Sequence, residues 1–259
     1  MAVSFKYYMD MQRYKLIVAY DGTDFDGWQR QPAGGSIEQA LEAAFRRAFV
    51  SPVSLVSASR TDAGVHALGQ VVLCKTELQL DPERLQRAWN DILPKSILIR
   101  SCSIVSDSFH PRHHVRSKTY YYHFFTKQPF PFTARYGWHC DRTIDLERLQ
   151  VVLSGFVGEH DFRAFCKVRD VHGSTVRMIH SINLEYFKRF GMYRIVVTGP
   201  GFMRHMVRRL VGAAMFVACR PNLSVDHAQK VLLSRDSNNT LGKAPAHGLL
   251  LYKIRYKGD

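Results

Sequence analysis

The sequence predicts an α+β protein in which one order of elements occurs twice. Three observations predict it. Short apolar-alternating runs and longer runs of helical period follow one another as β-α-β-β-α-β through the first hundred residues. The same order returns in the second half, without strong residue-level identity to the first. At 259 residues the chain is long enough for two compact units or one large one.

Residues 1–12 read as a flexible extension. Arg13–Tyr20 alternates as a strand, with Tyr14, Leu16, Val18 and Tyr20 on one face. The loop D-G-T-D-F-D-G-W-Q-R-Q follows, and then a helix over Ser36–Val50. There Ser36 and Gln39 make a capping-box pattern, and Ile37, Leu41, Phe45 and Phe49 line one side. Strands are expected at Val53–Val56 and Gln70–Thr76. Asp81-Pro82 opens a second helix, because proline suits a first turn, and Leu85, Trp89 and Ile92 form its buried stripe. Ile97–Val105 returns as a strand.

In the second half, Lys118–Phe125 reads as a strand and Ile144–Leu153 as a helix. Ile182–Lys188 and Met192–Thr198 form a hairpin through Arg189-Phe190-Gly191. Phe202–Cys219 is a long helix, Ser224–Leu233 a shorter one, and Gly248–Tyr256 the closing strand. Two such ferredoxin- or RRM-like halves imply antiparallel sheets flanked by helices, with a central cleft for a large ligand. The boundary falls near Asp107–Val115, where strand signals lapse and Pro111 interrupts. It divides the chain into residues 1–109 and 110–259.

Charge narrows the partner. Lys and Arg number 36 against 22 Asp and Glu, a formal net charge of +14. That excess favours a polyanion, nucleic acid before an acidic membrane. The five cysteines are widely spaced with no C-x-x-C, which fits a reducing cytoplasm better than a disulfide framework or zinc ribbon. The N-terminus lacks the apolar core of a signal peptide. Leu210–Cys219, the longest apolar run, is too short to span a bilayer.

Three stretches carry candidate chemistry. The first is S-A-S-R-T-D-A-G-V-H-A-L-G-Q, Ser57 to Gln70, too polar and glycine-punctuated for regular structure along its length. Its Asp62 suits a nucleophile, a general base or a metal ligand. Thr-Asp-Ala-Gly is also good turn chemistry, so a purely local role stays open. Arg60 is placed to hold that carboxylate or a phosphate, whereas His66 more plainly satisfies a backbone group. The second is aromatic-rich Lys118–Phe125, where Tyr120 and Tyr122 share one face; stacked bases want such rings, although aromatic strands are more often core. The preceding Arg112, Arg116 and Lys118 suit a phosphate backbone. His110, His113 and His114 lack a partner cluster at metal spacing. The third is the long helix. Spacing of four puts Arg204 and Arg208 on one side, with a solvated basic face the plainer reading for Arg204 and Arg209. Arg208, between Val207 and Leu210, borders the apolar stripe.

S-R-T-D-A-G-V-H resembles the catalytic motif of the tRNA pseudouridine synthase family known as TruA. Four further blocks resemble that family in order: Y-D-G-T-D-F-D-G-W-Q-R-Q, F-H-P-R-H-H-V-R-S-K-T-Y-Y-Y, G-F-M-R-H-M-V-R-R-L-V-G and A-P-A-H-G-L-L-L. Together they span nearly the whole chain. The resemblance implies isomerisation of uridine to pseudouridine at positions 38, 39 and 40 of the tRNA anticodon arm. It also implies a homodimer in which one tRNA contacts both subunits, with neither cofactor nor metal required. Carried over by motif, Asp62 is the catalytic aspartate and Tyr120 the pocket tyrosine. Arg60 helps displace the target base, Arg208 is the basic partner of the aspartate, and Gly248-Leu249 lines the pocket. Pro111, His113-His114 and Pro200 depart from the family pattern and bear on RNA contact. A non-catalytic RNA-binding protein and a metal-dependent nuclease using Asp62 and His66 are the rival readings. The first lacks the RRM aromatic-glycine signature, and the second lacks a second acidic ligand in its motif.

Overall fold

A computed structural model describes residues 11–166 and 173–258. The extension expected over residues 1–12 lies, up to residue 10, outside the described residues. Strand β1 (Gln12–Tyr20) leads to α1 (Ile37–Phe49), β2 (Ser54–Ser57), β3 (His66–Thr76), α2 (Pro82–Asn90) and β4 (Ile97–Ile104). The chain continues through β5 (Val115–Phe125), α3 (Pro131–Ala134), β6 (Trp138–His139), α4 (Leu146–Ser154), β7 (Gly158–Asp161) and β8 (Val176–Ile179). It ends with β9 (Ser181–Phe187), β10 (Met192–Gly199), α5 (Met206–Ala218), α6 (His227–Ser234) and β11 (Leu249–Tyr256). The α+β architecture is the expected one, a largely antiparallel sheet flanked by helices.

Local signals behave as physics dictates. Ser36 caps α1, its side chain accepting from the Gln39 N–H while the Gln39 side chain reaches back; such a cap contributes about 1 kcal/mol. Asp81 caps α2 ahead of Pro82. Tyr14, Leu16, Val18 and Tyr20 are all buried. Phe45 of α1 meets Trp89 of α2 edge-on at 4.7 Å, and the Trp89 indole N–H donates to the Leu41 carbonyl at 3.0 Å. Fully burying rings of this size contributes about 2–3 kcal/mol each.

The two half-sheets run on into one. The strand order is β4-β1-β3-β11-β5-β10-β9, with β2 on β3 and β6 on β5, nine strands in all. The seam is β11. It lies antiparallel to β5, with Leu249 opposite Tyr122 and Leu251 opposite Tyr120. On its other side it is parallel to β3, with Leu250 opposite His66. The closing strand thus satisfies an open edge of each half, which unpaired would expose a row of backbone donors and acceptors. It also brings the loop before β3 beside β5.

Three expectations need correcting. The strand expected from Gln70 begins already at His66, inside the stretch expected to be irregular, because His66 and Ala67 pair with Leu250 and Leu251 of β11. The helix expected from Phe202 begins only at Met206, because His205 takes a left-handed backbone (φ 65°) that ends the loop abruptly. Arg204 therefore precedes the helix, and the spacing argument that paired it with Arg208 does not apply. Arg209 is no solvated charge: its guanidinium donates to the carbonyls of Ala164 (3.4 Å) and Ser237 (3.2 Å). The small β7–β8 sheet had no sequence signal, since Gly158-Glu159-His160-Asp161 carries no apolar alternation. Among the described residues, no helix is long and apolar enough to cross a membrane.

Candidate functional site

The polar loop between β2 and β3 is held open by bonds to its neighbours. Gln70 brackets Ser59, accepting from its N–H at 3.2 Å and donating to its carbonyl at 2.6 Å. The Thr61 hydroxyl meets the Tyr20 hydroxyl at 2.8 Å, and the Thr61 carbonyl accepts from the Trp28 N–H at 3.1 Å. Gly27 makes that approach possible. Its φ is 92°, and a Cβ there would stand 2.6 Å from the Thr61 carbonyl oxygen, so the loop rests on bare backbone. Downstream, the Gly22 N–H donates to His66 Nδ1 at 3.1 Å, which leaves Nε2 to donate to the His247 carbonyl at 3.2 Å. His66 is buried and satisfies backbone groups; it does not line the cavity.

That loop forms one wall of a cavity of about 1130 Å³, just above the range for small-ligand sites (about 300–1,000 Å³). The opposite wall is the start of α5. Arg208 comes from there, its side chain 10% exposed, and donates from Nη1 to Asp62 Oδ2 at 2.9 Å. Its Nε donates to the Ala244 carbonyl at 2.9 Å, so the fork is aimed from behind as well as in front. Gly212 allows this grip: a side chain there would collide with the Ala244 nitrogen at 2.9 Å. His205 Nε2 stands 3.6 Å from the other carboxylate oxygen, Oδ1. A left-handed backbone costs a non-glycine residue about 1–2 kcal/mol, so the fold sustains that cost at this corner.

The floor is β5. The Tyr120 hydroxyl pairs with Ser59 Oγ at 2.9 Å, and its ring meets Phe202 edge-on at 5.3 Å. Burial pushes the phenol up to about 12, with the Asp62 charge adding to it, so Tyr120 is a neutral ring and hydrogen-bond partner at pH 7. Lys118 Nζ donates to the Ala58 carbonyl at 2.9 Å. Burial, with help from Arg112, lowers Lys118 to about 8. Arg112 bonds the Ser57 carbonyl at 3.0 Å and keeps the rest of its guanidinium at the rim.

Asp62, Arg208, Tyr120, Arg60 and Leu249 all line this cavity. Arg60 is exposed there, with no side-chain partner among the described residues. Lys118 and Arg112 join them, as their phosphate reading requires, while Arg116 does not line the cavity. Sequence reasoning missed His205, Phe202 and Lys243 as lining residues. His205 and Phe202 sat inside a quoted block, but a helix drawn through them hid the loop.

A carboxylate gripped by a buried guanidinium, on the wall of a cavity rimmed with cations, defines a class of site that acts on a polyanion. A family model described as tRNA pseudouridine synthase matches residues 16–113 and 153–257. The chain is 36% identical to a tRNA pseudouridine synthase A of Thermodesulfovibrio yellowstonii, covering 95% of this chain and 100% of the relative. It is 37% identical to relatives in Desulfotalea psychrophila ("tRNA pseudouridine synthase A 1") and Geotalea uraniireducens ("tRNA pseudouridine synthase A"), with the same coverage. The chain belongs to the tRNA pseudouridine synthase A family, whose reaction is the isomerisation of uridine to pseudouridine. That assignment displaces the binding-module and nuclease readings.

Proposed function

We propose that the protein acts at positions 38, 39 and 40 of the tRNA anticodon stem-loop, with Asp62 as catalytic aspartate and the target uridine flipped into the cavity. The observation that carries this reading is the Asp62–Arg208 pair set against Tyr120 in one cavity. The reaction breaks the bond from ribose C1′ to uracil N1 and forms one from C1′ to C5. A proton leaves C5 and one is taken up at N1. Nothing is oxidised or reduced, so the atoms balance with no cofactor and no metal. Attack on the sugar, attack on the base and removal of a sugar proton all call for an ionised carboxylate, which Arg208 favours by its charge.

Flipping a base from a stem costs a few kcal/mol. Arg60, free at the rim, fills the vacated stack or binds phosphate. Tyr120 and Leu249 pack against the extruded uracil, and a closed pocket keeps the detached base within reach for rebonding. This reading carries with it a division near residue 109, with the aspartate loop from the first part and Arg208 and Tyr120 from the second. It also carries a homodimer working in the cytoplasm; the exposed Leu98, Ile104 and Tyr252 offer apolar surface to such a partner. Unmodified tRNA carrying tritium at uracil C5 tests the reaction and its site. Label is expected in water, with pseudouridine mapped to positions 38–40. Release with pseudouridine elsewhere would remove the positional assignment, and no release on any tRNA would remove the activity.

Lys118 adds a pH-dependent expectation. Its folded value of about 8 lies below the ordinary 10.5, so its charge is present at pH 7 and lost on going to pH 9. Between those two values the unfolded chain binds the extra proton, and folding stability from this group rises with pH. RNA affinity runs the other way. The tRNA dissociation constant is expected to rise from pH 7 to pH 9 in the wild type and to stay flat in Lys118→Arg. At pH 9 the wild-type slope of log K against log salt should be smaller by roughly 0.7–0.9, one phosphate contact.

A further inference from the structure

His205 is strained without an evident structural reward. It precedes α5 with φ 65°, and its side chain caps none of the free N–H groups of that helix. The left-handed turn instead points the imidazole into the cavity, its side chain 15% exposed and Nε2 3.6 Å from Asp62 Oδ1. This is the oxygen Arg208 leaves alone, since the guanidinium bonds Oδ2. Strained residues gather where geometry serves chemistry, and here the strain brings a donor to the unheld side of the carboxylate.

Resting on the reading of Asp62 as the catalytic aspartate, we propose that His205 is a positioning residue: its Nε2–H closes onto Oδ1 when substrate fills the cavity, so that both carboxylate oxygens are held. With Oδ2 alone anchored, the carboxylate is free to turn about its Cβ–Cγ bond. A second bond at Oδ1 stops that rotation, and the oxygen keeps a further lone pair for the substrate. A separation of 3.6 Å before substrate binds fits a contact that tightens in the complex, as catalytic hydrogen bonds commonly do. The charged groups around the imidazole are Asp62, Lys243, Arg204 and Arg208. Burial, the largest influence, lowers the imidazole below its ordinary value, while Asp62 pulls the other way. A neutral Nε2–H donor at pH 7 is consistent with that balance.

Two variants separate positioning from backbone geometry. His205→Asn tolerates the left-handed turn, but its shorter amide stops short of Oδ1. His205→Gln puts an amide N–H where Nε2 stood. Single-turnover rates at saturating tRNA are expected to fall about 10²-fold in His205→Asn, as a misplaced reacting group does, and to recover most of that loss in His205→Gln. The tRNA dissociation constant should stay within about twofold of wild type in both. A wild-type rate in His205→Asn overturns the proposal. So does an equal loss in both variants, or a loss confined to tRNA affinity. Asp62→Asn, measured beside them, keeps the two readings apart. An active Asp62→Asn removes the catalytic aspartate, and this proposal with it. An inactive Asp62→Asn beside a wild-type His205→Asn removes the proposal alone.

Discussion

Asp62→Asn is expected to lower the isomerisation rate by about 10⁴-fold or more while leaving tRNA affinity within a few-fold of wild type. The amide is nearly isosteric with the carboxylate, so the loop that carries it should be undisturbed. Its supports are backbone and neighbouring side chains: Gln70 on Ser59, Tyr20 and Trp28 on Thr61, and the Val65 N–H on the Asp62 carbonyl at 3.1 Å. None uses the Asp62 side chain. What the substitution removes is the negative charge and the ability to attack or take a proton. Affinity for tRNA comes mainly from phosphate contacts, which this change does not touch; losing an anion from a cationic cavity even favours the polyanion slightly. Tritium release and a filter-binding isotherm on the same tRNA would check both halves. Rates near wild type would show that another group does the chemistry.

Arg208→Met is expected to lower the rate by about 10²–10³-fold, the usual loss for removing one charge-stabilising donor, and to destabilise the fold by about 3 kcal/mol. Both effects follow from what the guanidinium touches. Its Nη1 partners Asp62 and its Nε partners the Ala244 carbonyl. Methionine fills the space but leaves a carboxylate without its cation and a carbonyl without its donor. Arg208→Lys should fall between wild type and Arg208→Met in rate, because an ammonium keeps the charge but not the planar fork that serves both partners. Thermal unfolding beside single-turnover kinetics would read the two losses separately. A full rate in Arg208→Met would mean that the ion pair is structural alone.

Much of this molecule is legible because strand and helix periods are local. The alternation of Tyr14, Leu16, Val18 and Tyr20, the Ser36–Gln39 capping box and the Asp81-Pro82 start each place a burial face or a helix end within a few residues of the cue. Asp62, Arg208, Tyr120, Arg60 and Leu249 stand in the ordered motif blocks, and all five line one cavity. The departures have separate causes, each beyond the reach of local periodicity. A left-handed His205 is invisible to periodicity, so the apolar pattern runs four residues ahead of the true helix start at Met206 and pairs Arg204 falsely with Arg208. Arg209 looked like surface charge because its carbonyl partners lie 28 and 45 residues away.

By itself, the sequence determined the kind of fold, the basic character that calls for a polyanion, and which residue types stand ready for chemistry. Those properties depend on composition and on spacings of two to four residues. Only the tertiary structure decided that β11 would join two half-sheets into one and set the aspartate loop beside β5. It alone brought Arg208 to Asp62 across 146 residues of chain, and His205 to the carboxylate's other oxygen. Such contacts depend on strand pairing and close backbone packing, as at Gly27 and Gly212, and no local pattern records which distant backbone will fill the space a glycine leaves.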